Sequence, residues 1–241
     1  MPLRFRSVMN SFLLVALIAV SASAQDVATA PDTVKPVPRA GGWMNRHQSM
    51  NDRVKKGDVD LVFIGDSITQ GWEGNGKNVW KTFYGDRNAV NLGIGGDRTQ
   101  HVIWRLDNGN LEGISPKAAV IMIGTNNSGS NSPEEIAEGV EVIVKQLREK
   151  TPETKILVLA TFPRGPNPAD AKRQVNEKSN AIVEKLADGE HVFYLDIGDK
   201  FLDDDGNLSR DIMPDLLHLS EPGYTIWAES IEPSLTKLLG K

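Results

Sequence analysis

Five short runs rich in Val, Ile and Leu, at 59–64, 89–92, 118–123, 155–161 and 191–196, recur along the chain, each bounded by Gly, Pro or Asp. They are too continuously apolar to belong to a sheet with one wet face, so they read as strands buried on both sides. Segments of helical period separate them at 98–106, 133–149 and 171–186, and a last one covers 222–239. That alternation predicts a parallel sheet with helices packed on both faces. Helix starts are marked locally. Ser132 precedes Pro133, with Glu134 and Glu135 behind it, and Ser220 and Glu221 precede Pro222. A hydroxyl at the cap, a proline in the first turn and acidic residues near the positive end of the helix dipole all favour initiation there. Helices that cover both faces leave one part of such a sheet free for chemistry, the loops just past the carboxyl ends of the strands.

The chain of 241 residues fits one domain preceded by a leader. Arg4 and Arg6 are followed by an apolar run over 12–20 and by Ala22-Ser23-Ala24, the small-x-small pattern of a signal-peptide cleavage site. Residues 1–24 are therefore expected to be an export signal. The apolar run is about half the roughly 20 residues that a spanning helix needs, so the processed protein should have no integral membrane segment and be periplasmic or secreted. Residues 25–42, with Pro31, Pro36 and Pro38 and no apolar period, read as an extended tether. The folded domain is expected at 43–241, starting near Trp43. The absence of cysteine removes disulfides, thiolate zinc sites and thiol nucleophiles from consideration. A net charge of -5 with interspersed cations gives no basic stripe for a phosphate backbone, so no nucleic-acid partner is expected.

Four blocks fall on the reactive rim. Gly65-Asp66-Ser67-Ile68-Thr69 follows the first strand, Gly95-Gly96-Asp97 the second, Gly124-Thr125-Asn126-Asn127 the third, and Asp215-Leu216-Leu217-His218 the last. Acyl transfer from an ester needs an activated nucleophile, a base, a group that orients the base, and donors for the oxyanion. Each role has a candidate: Ser67 as nucleophile, His218 as base, Asp215 as its orienting partner, and the N–H groups of Ser67 and Gly96 with the Asn126 amide as oxyanion donors. The Asp-x-x-His spacing lets one loop deliver both members of the acid–base pair.

These blocks, in this order, resemble the Ser, Gly, Asn and Asp-x-x-His blocks of the SGNH (GDSL-like) hydrolases. Within that superfamily, Asn91-Leu92-Gly93-Ile94-Gly95-Gly96-Asp97, His101-Val102-Ile103-Trp104-Arg105-Leu106 and Pro163-Arg164-Gly165 resemble the platelet-activating-factor acetylhydrolase catalytic subunits and their bacterial relatives. The similarity runs from Trp43-Met44 to Leu219-Ser220, close to Tyr224. It implies an α/β fold, a flavodoxin-like three-layer α/β/α sandwich on a five-stranded parallel sheet, with no cofactor and no metal. It also implies a short-acyl, chiefly acetyl, preference and a homodimer. Arg98 departs from the family pattern, in which a small hydroxyl residue often follows Gly-Gly-Asp. The export signal favours a small-molecule or O-acetylated carbohydrate ester as substrate; the alternatives are a phospholipid-directed acetylhydrolase or lysophospholipase and, further off, a non-catalytic ligand-binding protein on the same scaffold.

Other motifs are weaker. Gly93-Ile94-Gly95 lacks the third glycine of a dinucleotide fingerprint, since Arg98 stands there. Gly74-Asn75-Gly76-Lys77 lacks the spacing and trailing hydroxyl of a phosphate loop, and Asp203-Asp204-Asp205-Gly206 has Phe201 where an EF-hand needs its first carboxylate. His47, His101 and His191 have no motif partners. Trp72 and Trp80 are equally readable as core or as a stacking surface, and Arg105 and Arg164 as ion-paired structural residues. Ile68 and Leu217 are expected to wall a small acyl pocket.

Overall fold

A computed structural model describes residues 30–240. The five strands are β1 (Leu61–Gly65), β2 (Ala89–Gly93), β3 (Ala118–Met122), β4 (Lys155–Leu159) and β5 (Val192–Leu195), all parallel, in the order β2-β1-β3-β4-β5. This is the flavodoxin-like order, whose switch point lies beside β1, where the chain first winds out to β2 and then returns to β3. Alternate side chains of each strand feed separate cores. Val62 and Ile64 of β1 face a layer made by α1 (Gly42–Val54), α4 (Thr99–Asp107), α5 (Pro133–Lys150) and α6 (Ala171–Val183). Leu61 and Phe63 face α3 (Lys77–Tyr84) and α7 (Glu221–Leu238). A one-turn helix, α2 (Ser67–Gln70), follows β1 directly.

The expected strands and four helices are present; β3, β4 and β5 are shorter than the apolar runs, β1 is shifted toward Gly65, and β2 runs one residue further, to Gly93. Three helices were not legible. Helix α1 buries Trp43, His47, Met50, Asn51 and Val54, a helical spacing whose period is masked because His and Asn stand among the buried positions. Helix α3 is only eight residues long, and α2 is a single turn. The side of the sheet against α3 and α7 is unusually aromatic. Trp72 lies 4.5 Å from Tyr224 and 4.8 Å from Trp227, ring centroid to centroid.

The folded unit starts at Pro31 and not near Trp43. Residues 31–41, expected to be part of a free tether, lie on the domain as a strap: Asp32–Val34 forms a 3-10 turn, Thr33 is buried, Thr99 Oγ1 donates to Thr33 O at 2.8 Å, and Val37 N–H donates to Gln100 O at 3.2 Å. Room for the strap is made at Gly139 of α5, where a Cβ would stand 2.6 Å from Thr99 Oγ1 and 3.0 Å from Thr33 O. Prolines do fix an extended course, but a segment with few N–H groups to satisfy is also cheap to lay on a surface. The expected export signal at 1–24, and residues 25–29 of the expected tether, lie outside the described residues.

Gly65 ends β1 where the chain turns toward Ser67. A Cβ there would run into Thr69 Oγ1 and lie 2.5 Å from Met122 O, a backbone atom of the neighbouring strand that cannot move aside. Gly65→Ala is therefore expected to lower the unfolding free energy by ~1–3 kcal/mol, measured by urea titration. An unchanged midpoint would mean that the β1–β3 spacing is more compliant than this contact implies.

Candidate active site

The turn after β1 is set by Asp66, whose side chain accepts from Ile68 N–H at 2.9 Å and caps α2. Ser67 is the first residue of that turn, so its N–H has no acceptor within the helix, and its hydroxyl projects from the rim at the sheet's switch point. From the far end of the chain, His218 Nε2 comes to 2.9 Å from Ser67 Oγ. His218 Nδ1 is 2.6 Å from Asp215 Oδ2. The other Asp215 oxygen accepts the backbone N–H groups of Leu217, at 3.1 Å, and His218, at 2.7 Å. Asp215, His218 and the turn that joins them are thus one hydrogen-bonded unit. Leu216 closes it at φ 62°, a left-handed conformation that costs a leucine about 1–3 kcal/mol. Its carbonyl is tied by Gly165 N–H at 2.9 Å and its N–H donates to Met213 O at 2.8 Å. Burial works to raise the Asp215 carboxyl, but the bonds from the His218 ring and backbone outweigh it and hold the group below its usual range.

Gly95 and Gly96 form the turn after β2. A Cβ on Gly95 would lie 3.8 Å from Ser67 Cβ, so this backbone runs beside Ser67. Gly96 takes φ 75°, where a glycine is suited. Neither Ser67 N–H nor Gly96 N–H has an acceptor among the described residues, which leaves both able to donate to a bound group. Asn126 reaches the same loop, but its amide is occupied: Nδ2 donates to Asp97 O at 2.8 Å and, at a longer 3.3 Å, to Asp66 Oδ2. The longer bond is the weaker of the two.

Beneath this loop lies a network that the motifs did not reveal. The fully buried Asp97 carboxylate accepts from Trp43 Nε1 at 2.6 Å, Arg105 Nε at 2.9 Å and Arg39 Nη1 at 3.3 Å. Arg105, also fully buried, donates onward to Asn110 Oδ1 at 2.6 Å and to Gly65 O at 3.3 Å. Asn110 Nδ2 donates to Asn51 Oδ1 at 2.7 Å and lies 3.3 Å from His47 Nδ1. His47 stacks on Trp43, and burial, then the Arg105 charge, lowers its proton affinity. His101 Nδ1 accepts Arg98 N–H at the start of α4. Arg164 bonds Thr125 O and Oγ1, each at 3.2 Å. Trp72 and Ile68 belong to the core, the latter contrary to its expected place in a pocket wall, and Leu217 packs on the same cluster. Trp80 is half-buried and borders a cleft of about 510 Å³ with Arg46 and Lys77, over the edge of β2.

The model of the GDSL-like lipase/acylhydrolase family matches residues 63–226. The chain belongs to this family. Among relatives of this GDSL-like acylhydrolase, human platelet-activating factor acetylhydrolase IB subunit alpha1 is 39% identical over 220 residues, covering 90% of this chain and 93% of that protein. The fold is shared with a structure described as a platelet activating factor from Streptococcus pneumonia, with TM-score 0.68, 23% identity and coverage of 80% of this chain and 92% of that one. It is shared too with a carbohydrate acetylesterase family member from Sinorhizobium meliloti, with TM-score 0.60, 17% identity and coverage of 76% and 100%. Membership of this family makes the protein a carboxylic ester hydrolase. No helix among the described residues is long and apolar enough to cross a membrane.

Within this acylhydrolase, Asp66 is a buried carboxyl whose ionisation the surroundings disfavour. Burial pushes its carboxyl up to about 7; Ile68 N–H and His218 oppose the shift, and Asp97 adds to it. A carboxyl whose folded value is raised binds more protons than the unfolded chain between its ordinary value of 3.8 and about 7, so it lowers stability as pH climbs through that window. Asp66→Asn keeps the cap and removes the ionisation. Wild type is expected to lose stability relative to Asp66→Asn between pH 4 and 7, followed by thermal unfolding across that range. Parallel curves for the two proteins would assign the group an ordinary ionisation.

Proposed function

We propose that this protein is an exported serine esterase that removes short acyl groups, chiefly acetyl, through an acyl-enzyme on Ser67. The observation that carries the reading is the relay of 2.9 Å from Ser67 Oγ to His218 Nε2 and 2.6 Å from His218 Nδ1 to Asp215. Ser67 Oγ attacks the ester carbonyl carbon while its proton passes to His218 Nε2. Asp215 holds Nδ1–H and stabilises the imidazolium, which keeps the tautomer that leaves Nε2 free to accept. The carbonyl oxygen, now anionic, takes hydrogen bonds from Ser67 N–H, Gly96 N–H and Asn126 Nδ2. Collapse of the tetrahedral species breaks the ester C–O bond, and the His218 proton leaves with the alcohol. Water then attacks the acyl carbon with His218 again as base, releasing the acid and restoring Ser67.

The acetyl preference is supported by the acetylhydrolase named among the relatives. The alcohol portion is proposed to be an O-acetylated carbohydrate, a reading that rests on the expected export signal, and the same fold serves a carbohydrate acetylesterase. A phospholipid-directed acetylhydrolase is the second reading, favoured by the 39% identity to the platelet-activating factor acetylhydrolase subunit.

The test is hydrolysis of p-nitrophenyl esters from acetyl to dodecanoyl by wild type and variants, followed by acetate release from acetylated xylan and from an acetylated ether phospholipid. Activity is expected to fall steeply beyond the shortest acyl groups and to vanish in Ser67→Ala at unchanged melting temperature. Asn126→Ala should cost on the order of 10²–10³ in kcat. Turnover that survives in Ser67→Ala would overturn the nucleophile, and a near-normal Asn126→Ala would remove that residue from the oxyanion site. Faster release from the phospholipid than from the xylan would select the second reading.

A further inference from the structure

Arg39, carried by the strap that precedes the sheet, has no place in the relay, yet it touches the loop on which the relay's product depends. Its Nη1 donates to Gly95 O at 2.9 Å and to Asp97 Oδ1 at 3.3 Å. The guanidinium lies flat enough on Gly96 that a Cβ there would come within 3.2 Å of Nη1 and 3.4 Å of Nη2. We propose that Arg39 is a positioning residue for the oxyanion donor, orienting and polarising the Gly95–Gly96 peptide from behind.

Gly95 O and Gly96 N–H are the two ends of one amide. A trans peptide is planar and sets its C=O and N–H on opposite sides, so fixing the oxygen on Arg39 fixes where the N–H points. The hold is needed because a peptide between two glycines has little steric resistance to flipping, and Gly96 already sits at φ 75°. The neighbouring amides have other keepers: Gly95 N–H donates to Gln70 Oε1 at 2.7 Å and Asp97 N–H to Ile94 O at 3.1 Å. Arg39 supplies the missing restraint on the Gly95 carbonyl. A cation on that oxygen also draws density from the amide and makes its N–H a stronger donor. The Arg39 side chain is 38% exposed, while Asp97, its second partner, is fully buried and is itself held by Trp43 and Arg105. The guanidinium is thereby anchored at its inner end, and the strap that carries it is pinned at Thr33 and Val37.

This inference rests on the reading of Gly96 N–H as an oxyanion donor, and the experiment separates the two. Full-length Arg39→Ala, Arg39→Lys, Asn126→Ala and Ser67→Ala are compared with wild type in p-nitrophenyl acetate hydrolysis and in inhibition by phenylboronic acid, whose serine adduct places an oxygen in the hole. Arg39→Ala should lose about 10- to 100-fold in kcat, less than the ~10²–10³ of deleting a donor outright, with KM little changed. Boronate inhibition should weaken by a similar factor. Arg39→Lys should fall between, and guanidinium chloride well below denaturing concentration should restore part of the Arg39→Ala rate. A normal rate in Arg39→Ala with an impaired Asn126→Ala overturns the role of Arg39 alone. A loss without weaker boronate binding and without guanidinium rescue overturns it too, since that marks a general structural defect. Normal rates in both variants overturn the role of Arg39 and remove Asn126 from the oxyanion site, and a boronate that binds wild type no more tightly than Ser67→Ala overturns the oxyanion reading beneath both.

Discussion

The carboxylate of Asp97 has no exposed surface, and a buried charge without partners would be untenable. Its partners come from separate parts of the chain: Trp43 from α1, Arg105 from α4 and Arg39 from the strap. Arg105 carries the connection to the last carbonyl of β1 and into the Asn110–Asn51 pair. Satisfying one anion therefore fixes the relative positions of two helices, a strand end and the glycine turn beside Ser67. The Asp97 backbone carbonyl extends the same arrangement to Asn126. A hydrophobic replacement of the ion pair could match its stability, but it could not hold these backbone groups in place.

The two halves of the site are built on different principles. The side that receives negative charge in the proposed mechanism is glycine backbone, locked by buried polar contacts around Asp97, with Asp66 and Asn126 bonded across it. The side proposed to move protons is a turn near the surface, where the His218 and Asp215 side chains are 42% and 57% exposed. Electrostatic stabilisation benefits from groups that do not reorganise and that lie away from solvent. Proton transfer needs reach and an exit for the alcohol. The switch point beside β1 is where the fold can bring a rigid floor and an accessible rim together.

Much of this was legible because strands buried on both faces must be spelled in long apolar runs, which gave the five strands, their parallel sense and the helices between them. The blocks that hold Ser67, Gly96 and Asn126 stand out because each follows a strand end, and Asp215 and His218 because of their close spacing; the roles given to all five are proposals. What was not legible lies where hydropathy period fails or where a side chain meets a distant backbone. Helix α1 uses His47 and Asn51 as interior residues, so hydropathy hid its face. The strap was misread because its prolines speak for extension and say nothing of what the extended chain lies on. Arg39 and Gln70 act on Gly95 from 56 and 25 residues away, through bonds that no local pattern encodes.

The four-residue turn from Asp215 to His218 alters the mechanics of the relay. A nucleophile, a base and an acid drawn from three separate loops have two joints that fluctuate independently, and either can spoil the alignment. Here the joint between base and acid is closed within one turn by the two backbone bonds to Asp215 and the left-handed Leu216. What that turn leaves open is the separation between the imidazole and Ser67, 2.9 Å here. A site joined in this way would act as a latch with one main moving part.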